Sequence, residues 1–144
     1  MSGMWRACFY RMKILDEIKQ DMTGAALLRD WLGDDGIPVN EMIAEFRAQR
    51  CIMGNDGEPC PLNSHENWWD KVKHAVADWI RAQLSLKHKM NISLADDPHL
   101  HMCSACGCCL KLKVWVPNKH LRDHTSKEVL DKTVSYCWMR KELT

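Results

Sequence analysis

The segment CSACGCCLKLKVW, residues 103–115, places four cysteines within seven residues and then continues into an apolar stretch. The spacing of Cys103 and Cys106 allows two thiolates on a tight turn to bind one metal ion. Gly107 follows directly and can adopt the positive φ that such a turn requires. This pattern is typical of a zinc knuckle. It constrains the fold strongly, because the remaining metal ligands must come from distant parts of the chain.

Further cysteines lie on both sides of this segment. Cys51 and Cys60 are upstream and Cys137 is downstream, in a chain with eight cysteines in total. The start, MSGMWRACFYRMK, lacks the uninterrupted apolar run of a secretory signal, so we expect a cytoplasmic chain in which disulfides do not persist. Clustered cysteines in such a compartment are more typical of metal ligands or catalytic thiols. We therefore predict a structural zinc site with these ligands: Cys51, Cys60, Cys103, Cys106, Cys108 and Cys137.

Six thiolates exceed the four that one zinc ion requires. Either two metal ions share bridging thiolates, or two of the six cysteines lie outside the ligand set. Cys108 is the residue that complicates the count. Iron is an alternative to zinc, because four thiolates suit both metals.

A thiol redox site is the second interpretation of the CSAC motif. A thioredoxin-like site places its CxxC at a helix N-terminus, which lowers the pKa of one thiol. Here Gly107 and the strand-like segment LKLKVWV follow the motif, so the sequence favours zinc.

Four histidines and Cys8 offer other ligands that we do not expect to be used. His99 and His101 flank the knuckle, whereas His120 and His124 are four residues apart on a predicted helix and share a face. We expect each to be solvated or hydrogen-bonded, because the thiolates alone complete the site. Cys8 lies on the apolar face of a predicted helix and is expected in the core.

Apolar residues at spacings of three and four predict helices in the first half of the chain. They indicate a helix over 4–22, a short one through AALLRDWL, a third from about Pro38 to Arg50 or Cys51, and a long one over 63–88 with Asn63 and Glu66 as a capping box. We expect the apolar stripes to be mainly core faces and otherwise interfaces. The stripes are Trp5, Cys8, Met12, Leu15, Ile18 and Met22; Val39, Met42, Ile43 and Phe46; and Trp69, Val72, Val76, Trp79, Ile80 and Leu84.

The segment after the knuckle alternates apolar residues with charged or aromatic ones, which predicts a half-buried strand over 110–116 that Pro117 ends. A helix over 119–132 should follow. The predicted fold is a single domain that is mainly α, with a small β, zinc-ribbon-like, cysteine-rich C-terminal part. Its helical part is 1–50 and its zinc-binding part is 51–144, with the knuckle at 103–108.

The net charge of +1 removes the simplest argument for a nucleic-acid-binding protein, because phosphate affinity is carried by a surplus of Lys and Arg. The C-terminal segment is nevertheless mildly basic, so a zinc-ribbon regulator that binds nucleic acid remains an alternative. Its phosphate contacts would be Lys111, Lys113, Lys119, Arg122 and Lys127. No apolar run approaches the roughly 20 residues that span a bilayer, so we expect no membrane contact.

One combination of motifs resembles a known group of proteins. It consists of Arg47-Ala48, then Cys51, Cys60-Pro61 and Asn63, then CSACGC with LKLKVW behind it, and finally Cys137-Trp138. This order is similar to small cysteine-rich zinc-binding proteins encoded in tailed-bacteriophage genomes, over residues 39–138. The resemblance implies a zinc site with the six ligands named above and a phage origin, but no activity. Cys109 departs from the pattern at a place where proline or another non-ligand is expected, so we expect it to be a bystander.

The leading functional hypothesis is a phage structural or assembly protein, in the virion or the host cytoplasm. Seven Trp and nine Met against two Phe and two Tyr favour protein contacts, because Trp and Met are enriched at interfaces. The partners would be other phage proteins, with a homo-oligomer as a further option. We find no carboxylate pair, glycine-rich phosphate loop or nucleophile motif, so we expect no enzyme and no catalytic residue.

Overall fold

The computed structural model describes residues 22, 24–54, 56–64 and 68–143. These residues form a mainly helical fold, as the sequence predicts. The helices are α1 (24–33), α2 (Glu41–Met53), α3 (Trp68–His88), α4 (Leu110–Lys113), α5 (Asn118–His124), α6 (Lys127–Lys132) and α7 (Trp138–Leu143), with a 3₁₀ turn at Asp97–His99. Strands β1 (Asn63–Ser64) and β2 (Met102–Cys103) pair antiparallel, with Asn63 opposite Cys103. The predicted helix over 4–22 lies outside the described residues except for Met22, as do Glu66 of the predicted capping box and Cys8.

One hydrophobic core joins the two predicted parts of the chain. Trp31 of α1 and Ala48 of α2 belong to the same buried cluster as Leu84 of α3 and Trp115, which follows α4. Trp31 and Trp115 are both fully buried. The described residues therefore pack around one core, as a single domain does. None of the helices in this described part is long and apolar enough to cross a membrane.

The strand predicted over 110–116 is wrong, because this segment forms α4 and a tight turn. The amides of Lys113 and Val114 donate to the carbonyls of Cys109 and Leu110 at 3.0 and 3.3 Å. Five consecutive residues, 112–116, are buried. A half-buried strand needs a solvent face, whereas this segment is surrounded, so its alternating pattern does not report a strand. The zinc-ribbon-like character of the C-terminal part stays a prediction.

Helix α2 begins at Glu41 rather than near Pro38, and it ends at Met53 rather than at Arg50 or Cys51. Asn40 caps it by accepting a hydrogen bond from the amide of Ile43 at 2.9 Å. The helix buries the face with Ala44, Arg47, Ala48 and Cys51. The core assignment is therefore wrong for three residues of the predicted stripe, since Met42 is 80% exposed, Phe46 is 50% exposed and Ile43 is also exposed, whereas Val39 packs against the core.

Helix α3 begins at Trp68 in the described residues, so the prediction of a helix from residue 63 is wrong. Asn63 lies in β1, where its side chain accepts from the amide of His101 at 2.8 Å and donates to the carbonyl of His99 at 2.9 Å. Asn63 thus joins the loop after Cys60 to the strand before Cys106. Of the stripe predicted on α3, Ile80 and Leu84 are buried as expected, whereas the core assignment is wrong for Trp69, Val76 and Trp79, which are exposed.

The predicted helix over 119–132 is two helices. Thr125 has extended backbone angles and ends α5, and Ser126 caps α6 by accepting from the amide of Val129 at 3.2 Å. Thr and Ser compete with helical backbone bonds and favour helix ends, which explains the break between α5 and α6.

A buried arginine holds the centre of the fold together. The Arg47 guanidinium donates to the carbonyls of Val114 and Val116 at 3.0 and 2.7 Å, and to the Asn118 side chain at 2.8 Å. It also pairs with Glu142 at 3.0 Å and lies 4.5 Å from the ring centroid of Trp138. Arg47 therefore joins α2 to the turn after α4 and to α7. These are the elements that carry or adjoin Cys51, Lys113 and Cys137.

Candidate metal centre

The predicted knuckle forms a tight turn at the end of β2. The amide of Gly107 donates to the carbonyl of Cys103 at 2.6 Å, and the amide of Cys103 donates to the carbonyl of Cys108 at 2.9 Å. Gly107 has a φ of 72°, as the sequence predicts for the residue that turns the chain back. The turn brings Cys103, Cys106 and Cys108 to one place.

The Cys106 thiol interacts with the thiols of Cys103 and Cys108, and we call the three the knuckle thiols. Hydrogen bonding with the thiols of Cys103 and Cys108 holds the pKa of Cys106 well below its ordinary value. The same bonds, together with burial, raise the pKa of Cys103 and Cys108. The Lys113 ammonium donates to the Cys106 sulfur at 2.7 Å and also favours its anionic form. Cys106 therefore has the surroundings of a thiolate.

A second group of thiols lies at the C-terminal end of α2, and we call it the helix thiols: Cys51, Cys60 and Cys137. The amide of Cys60 donates to the carbonyl of Cys51 at 2.9 Å, which holds the loop close to the end of α2. Burial raises the pKa of Cys51 to about 12, and the thiols of Cys60 and Cys137 add to the rise. Burial also raises the pKa of Cys137.

Lys113 links the two groups of thiols. Its side chain is only 3% exposed. Burial alone would lower the pKa of the Lys113 ammonium, but the negative charge of the knuckle thiols, with Cys106 first, raises it above the ordinary value. The same ammonium favours the anionic forms of Cys51 and Cys137. One buried positive charge therefore acts on both groups of thiols.

The position of Lys113 corrects one prediction. The alternating pattern places Lys113 on the solvent face of a strand, where it would contact phosphate. It is instead buried against sulfur, so it is not available to a nucleic acid. The sequence did not predict this role, because a lysine in an alternating segment is normally solvated. The signal that could have indicated it is that Lys113 follows Cys106 by only seven positions in the sequence.

Cys109 has a different partner from the thiols of either group. Its sulfur is 2.9 Å from Nδ1 of His74 on α3. Burial raises the pKa of Cys109 to about 11, so it is a neutral thiol that can donate to this nitrogen. The pair joins the knuckle segment to α3.

The predicted pair of histidines on α5 does share a face, and both residues are hydrogen-bonded as expected. Nδ1 of His120 and Nε2 of His124 lie 3.0 and 3.2 Å from Oδ2 of Asp30 on α1. His99 is exposed and His101 is partly buried.

Cysteine sulfurs are ligands that zinc prefers, but the described cysteines are not arranged as the ligands of one metal ion. All seven cysteines of the described residues are free thiols. Across the same described ranges, no three His, Cys, Asp or Glu side chains stand where they could hold one metal ion together. The knuckle thiols are instead satisfied by one another and by Lys113. The structure thus gathers the predicted ligands into two neighbourhoods without assembling a coordination shell.

Comparisons with protein-family models, with curated proteins and with solved structures found no match to this chain.

Proposed function

We propose that the protein is a zinc-stabilised helical module of a tailed phage, which docks onto other virion or assembly proteins and performs no catalysis. The observation that carries the proposal is the gathering of cysteines from four distant segments into two groups around one buried ammonium. Free cysteines pack in a core as small apolar residues, whereas thiolates that bind zinc also turn metal-binding energy into folding energy. The six proposed ligands are Cys51, Cys60, Cys103, Cys106, Cys108 and Cys137.

The shape of the fold supports a structural role for the metal. Strands β1 and β2 contain two residues each, and helices α4 to α7 contain four to seven residues each. Such short elements are marginal on their own, because helix formation has a costly nucleus. A metal that joins the knuckle turn to the end of α2 and the start of α7 would stabilise these short elements together.

An exposed apolar stripe on α2 supports docking onto another protein. We call it the α2 face: Met42, Phe46 and Met53, which are 80%, 50% and 55% exposed. Their spacing of four and seven residues places them on one side of the helix. Met and aromatic side chains are enriched at protein contacts. The phage origin and the virion or host cytoplasm as its location rest on the motif resemblance alone.

Nucleic-acid binding has weaker support. With Lys113 buried, four of the five predicted phosphate contacts remain. Lys119 pairs with Asp34 at 3.3 Å and Arg122 donates to the carbonyl of Glu142 at 3.1 Å, so two of the four already have protein partners. The remaining basic surface is small for a site that depends on several phosphate contacts.

Thiol redox chemistry is the second candidate function, and one observation favours it. Cys106 has the charge environment of a reactive thiolate, next to two neighbouring thiols that could form a disulfide with it. Metal content separates the two candidates, since a thiolate that binds zinc is not free to react.

Elemental analysis of protein purified without added metal should find one or two zinc ions per chain. In Cys106→Ser we expect at least half of this zinc to be lost, together with part of the helical signal in circular dichroism, because the knuckle loses its central zinc ligand. Cys109→Ser is the matched control, since Cys109 contacts His74 instead, and its zinc content should equal that of the wild type. A wild-type chain without metal, with a fast-alkylating Cys106, would overturn the zinc proposal in favour of redox chemistry.

Replacing two residues of the α2 face, Met42→Asp with Phe46→Asp, should remove the protein from purified phage particles while leaving its fold and zinc content unchanged. Both side chains are exposed, so the charges disturb docking and not the core. The measurement is mass spectrometry of particles assembled with each variant. Absence of the wild-type chain from both particles and assembly intermediates would contradict the docking proposal.

A further inference from the structure

Helix α3 has a second apolar face, which lies beside the face that packs in the core. Its buried face consists of His74, Ala77, Ile80, Arg81 and Leu84. The other face repeats every three and four residues, and we call it the α3 seam: Trp69, Val72, Val76, Trp79, Gln83 and Leu86. Of these, Trp69 is 47% exposed, Val76 50%, Trp79 64% and Leu86 76%. This spacing matches the a and d positions of a heptad, the pattern by which one helix packs along another.

The α3 seam is a long apolar surface that would form most of a helix-to-helix interface. From Trp69 to Leu86 it runs about 26 Å along the helix. Val72 and Val76 also line an apolar cavity of about 270 Å³ between α3, α1 and the 107–116 segment, so the seam continues onto neighbouring elements. The exposed apolar side chains of the seam, with Trp68 beside it, present about 600 Å². A standard interface buries about 800 Å² on each partner, so these apolar side chains would supply about three quarters of one.

The order of residues in the α3 seam makes it complementary to itself. A two-fold axis between Ala77 and Asp78 places Val76 opposite the partner's Trp79, and Trp69 opposite the partner's Leu86. Each large side chain then meets a smaller one, which allows close packing. A parallel arrangement would instead place Trp79 against the same residue of the partner. Antiparallel helices also oppose their dipoles favourably.

We propose that the α3 seam is the interface of a homodimer in which two copies of α3 pack antiparallel about this axis. The interface is isologous, because residue 76 of each copy meets residue 79 of the other. The α2 face lies on a different helix and remains available for docking onto other proteins. The dimer depends neither on zinc nor on that docking, so each of these proposals can fail separately.

Sedimentation equilibrium of the full-length chain tests the dimer. We expect twice the chain mass at micromolar concentration for the wild type, and at least 100-fold weaker association for Trp79→Asp, because the dimer would bury two unpaired carboxylates at its centre. Met42→Asp is the matched control, since it places the same charge at an exposed apolar residue of the α2 face, and it should stay dimeric. A monomeric wild type, or a dimer that Met42→Asp disrupts and Trp79→Asp does not, would overturn the proposal.

A charge pair tests the antiparallel register. Val72 lies opposite the partner's Gln83 in the proposed dimer, whereas the two positions are too far apart to meet within one helix. Val72→Asp alone should weaken dimerisation at least 10-fold, and adding Gln83→Lys should restore most of it, because the new charges attract across the axis. Rescue also excludes misfolding as the cause of the first effect. A double variant that associates no better than Val72→Asp would overturn the antiparallel arrangement.

Discussion

Arg47→Met is expected to lower the free energy of unfolding by about 3–5 kcal/mol, the range for removing one partner of a buried ion pair. Three losses combine in this variant. The carbonyls of Val114 and Val116 lose their donor, the Glu142 carboxylate loses its partner, and the Trp138 ring loses the cation above it. Methionine fills a similar volume, so the effect does not come from a cavity. Urea unfolding, followed by circular dichroism at a fixed zinc concentration, measures the change.

Arg50→Met is the matched control for this experiment. Arg50 lies one turn further along α2, partly exposed, with its guanidinium 5.1 Å from the ring centroid of Phe46. We expect a change within about 1 kcal/mol, because this cation lies near the surface. Arg47→Lys should recover only part of the stability, since an ammonium cannot donate in the forked geometry of a guanidinium. Equal losses for Arg47→Met and Arg50→Met would contradict the central role of Arg47.

The comparison of Arg47 with its neighbours shows where sequence reasoning succeeds and fails on α2. The existence of the helix follows from spacing and from an asparagine cap, both of which are local. The choice of the buried face does not. The larger apolar residues Met42 and Phe46 favour one face, but the structure buries the opposite one, where Ala44 and Ala48 allow close approach and Arg47 meets carbonyl groups far along the chain. Long-range partners of this kind leave no periodic signal.

Helix α3 likewise shows that the apolar pattern predicts a helix without deciding which of its faces is buried. The stripe predicted on this helix runs from Trp69 to Leu84, and its spacing assigns it mainly to the core and otherwise to an interface. The structure buries Ile80 and Leu84 and leaves Trp79 64% exposed. A helix that is apolar on two sides can be covered on the second side by another chain, and the exposed part of the predicted stripe belongs to the α3 seam.

The tight turn of the cysteine-rich segment could be predicted from the sequence, but the helix that follows the turn could not. Gly107 has the positive φ that the CxxCG pattern requires, because backbone geometry at a glycine is a local property. The LKLKVWV segment after it becomes helix and turn because residues 112–116 are buried on every side. Burial of Lys113 in particular follows from the thiols around it, which come from segments that the local pattern does not include.

Lys113→Met is expected to weaken zinc binding by about 10- to 100-fold, the range for residues that support metal ligands without binding the metal themselves. Four thiolates around one zinc ion, or six around two, leave two excess negative charges. Lys113 is the buried cation that lies 2.7 Å from Cys106. Removing its charge leaves the thiolates uncompensated in a medium of low polarity, which favours protonated thiols over the metal-bound form.

Competition with a chromophoric zinc chelator measures this effect, and its dependence on pH identifies the cause. The Cys106 thiol and the Lys113 ammonium act on each other, so the methionine variant raises the pKa of Cys106. A higher thiol pKa means that protons compete with zinc up to a higher pH. The affinity deficit of Lys113→Met should therefore be largest in mildly acidic solution and shrink as the pH rises.

Lys111→Met separates this effect from a general loss of positive charge. Lys111 lies on the same short helix and is partly exposed. It is not among the residues that shift the pKa of the knuckle thiols. Its replacement should leave zinc affinity within about 2-fold of the wild type, because exposed charges are screened by water and salt. If both lysine variants retain zinc equally at every pH, the ammonium at Cys106 is a packing contact and not the counter-charge of the thiolates.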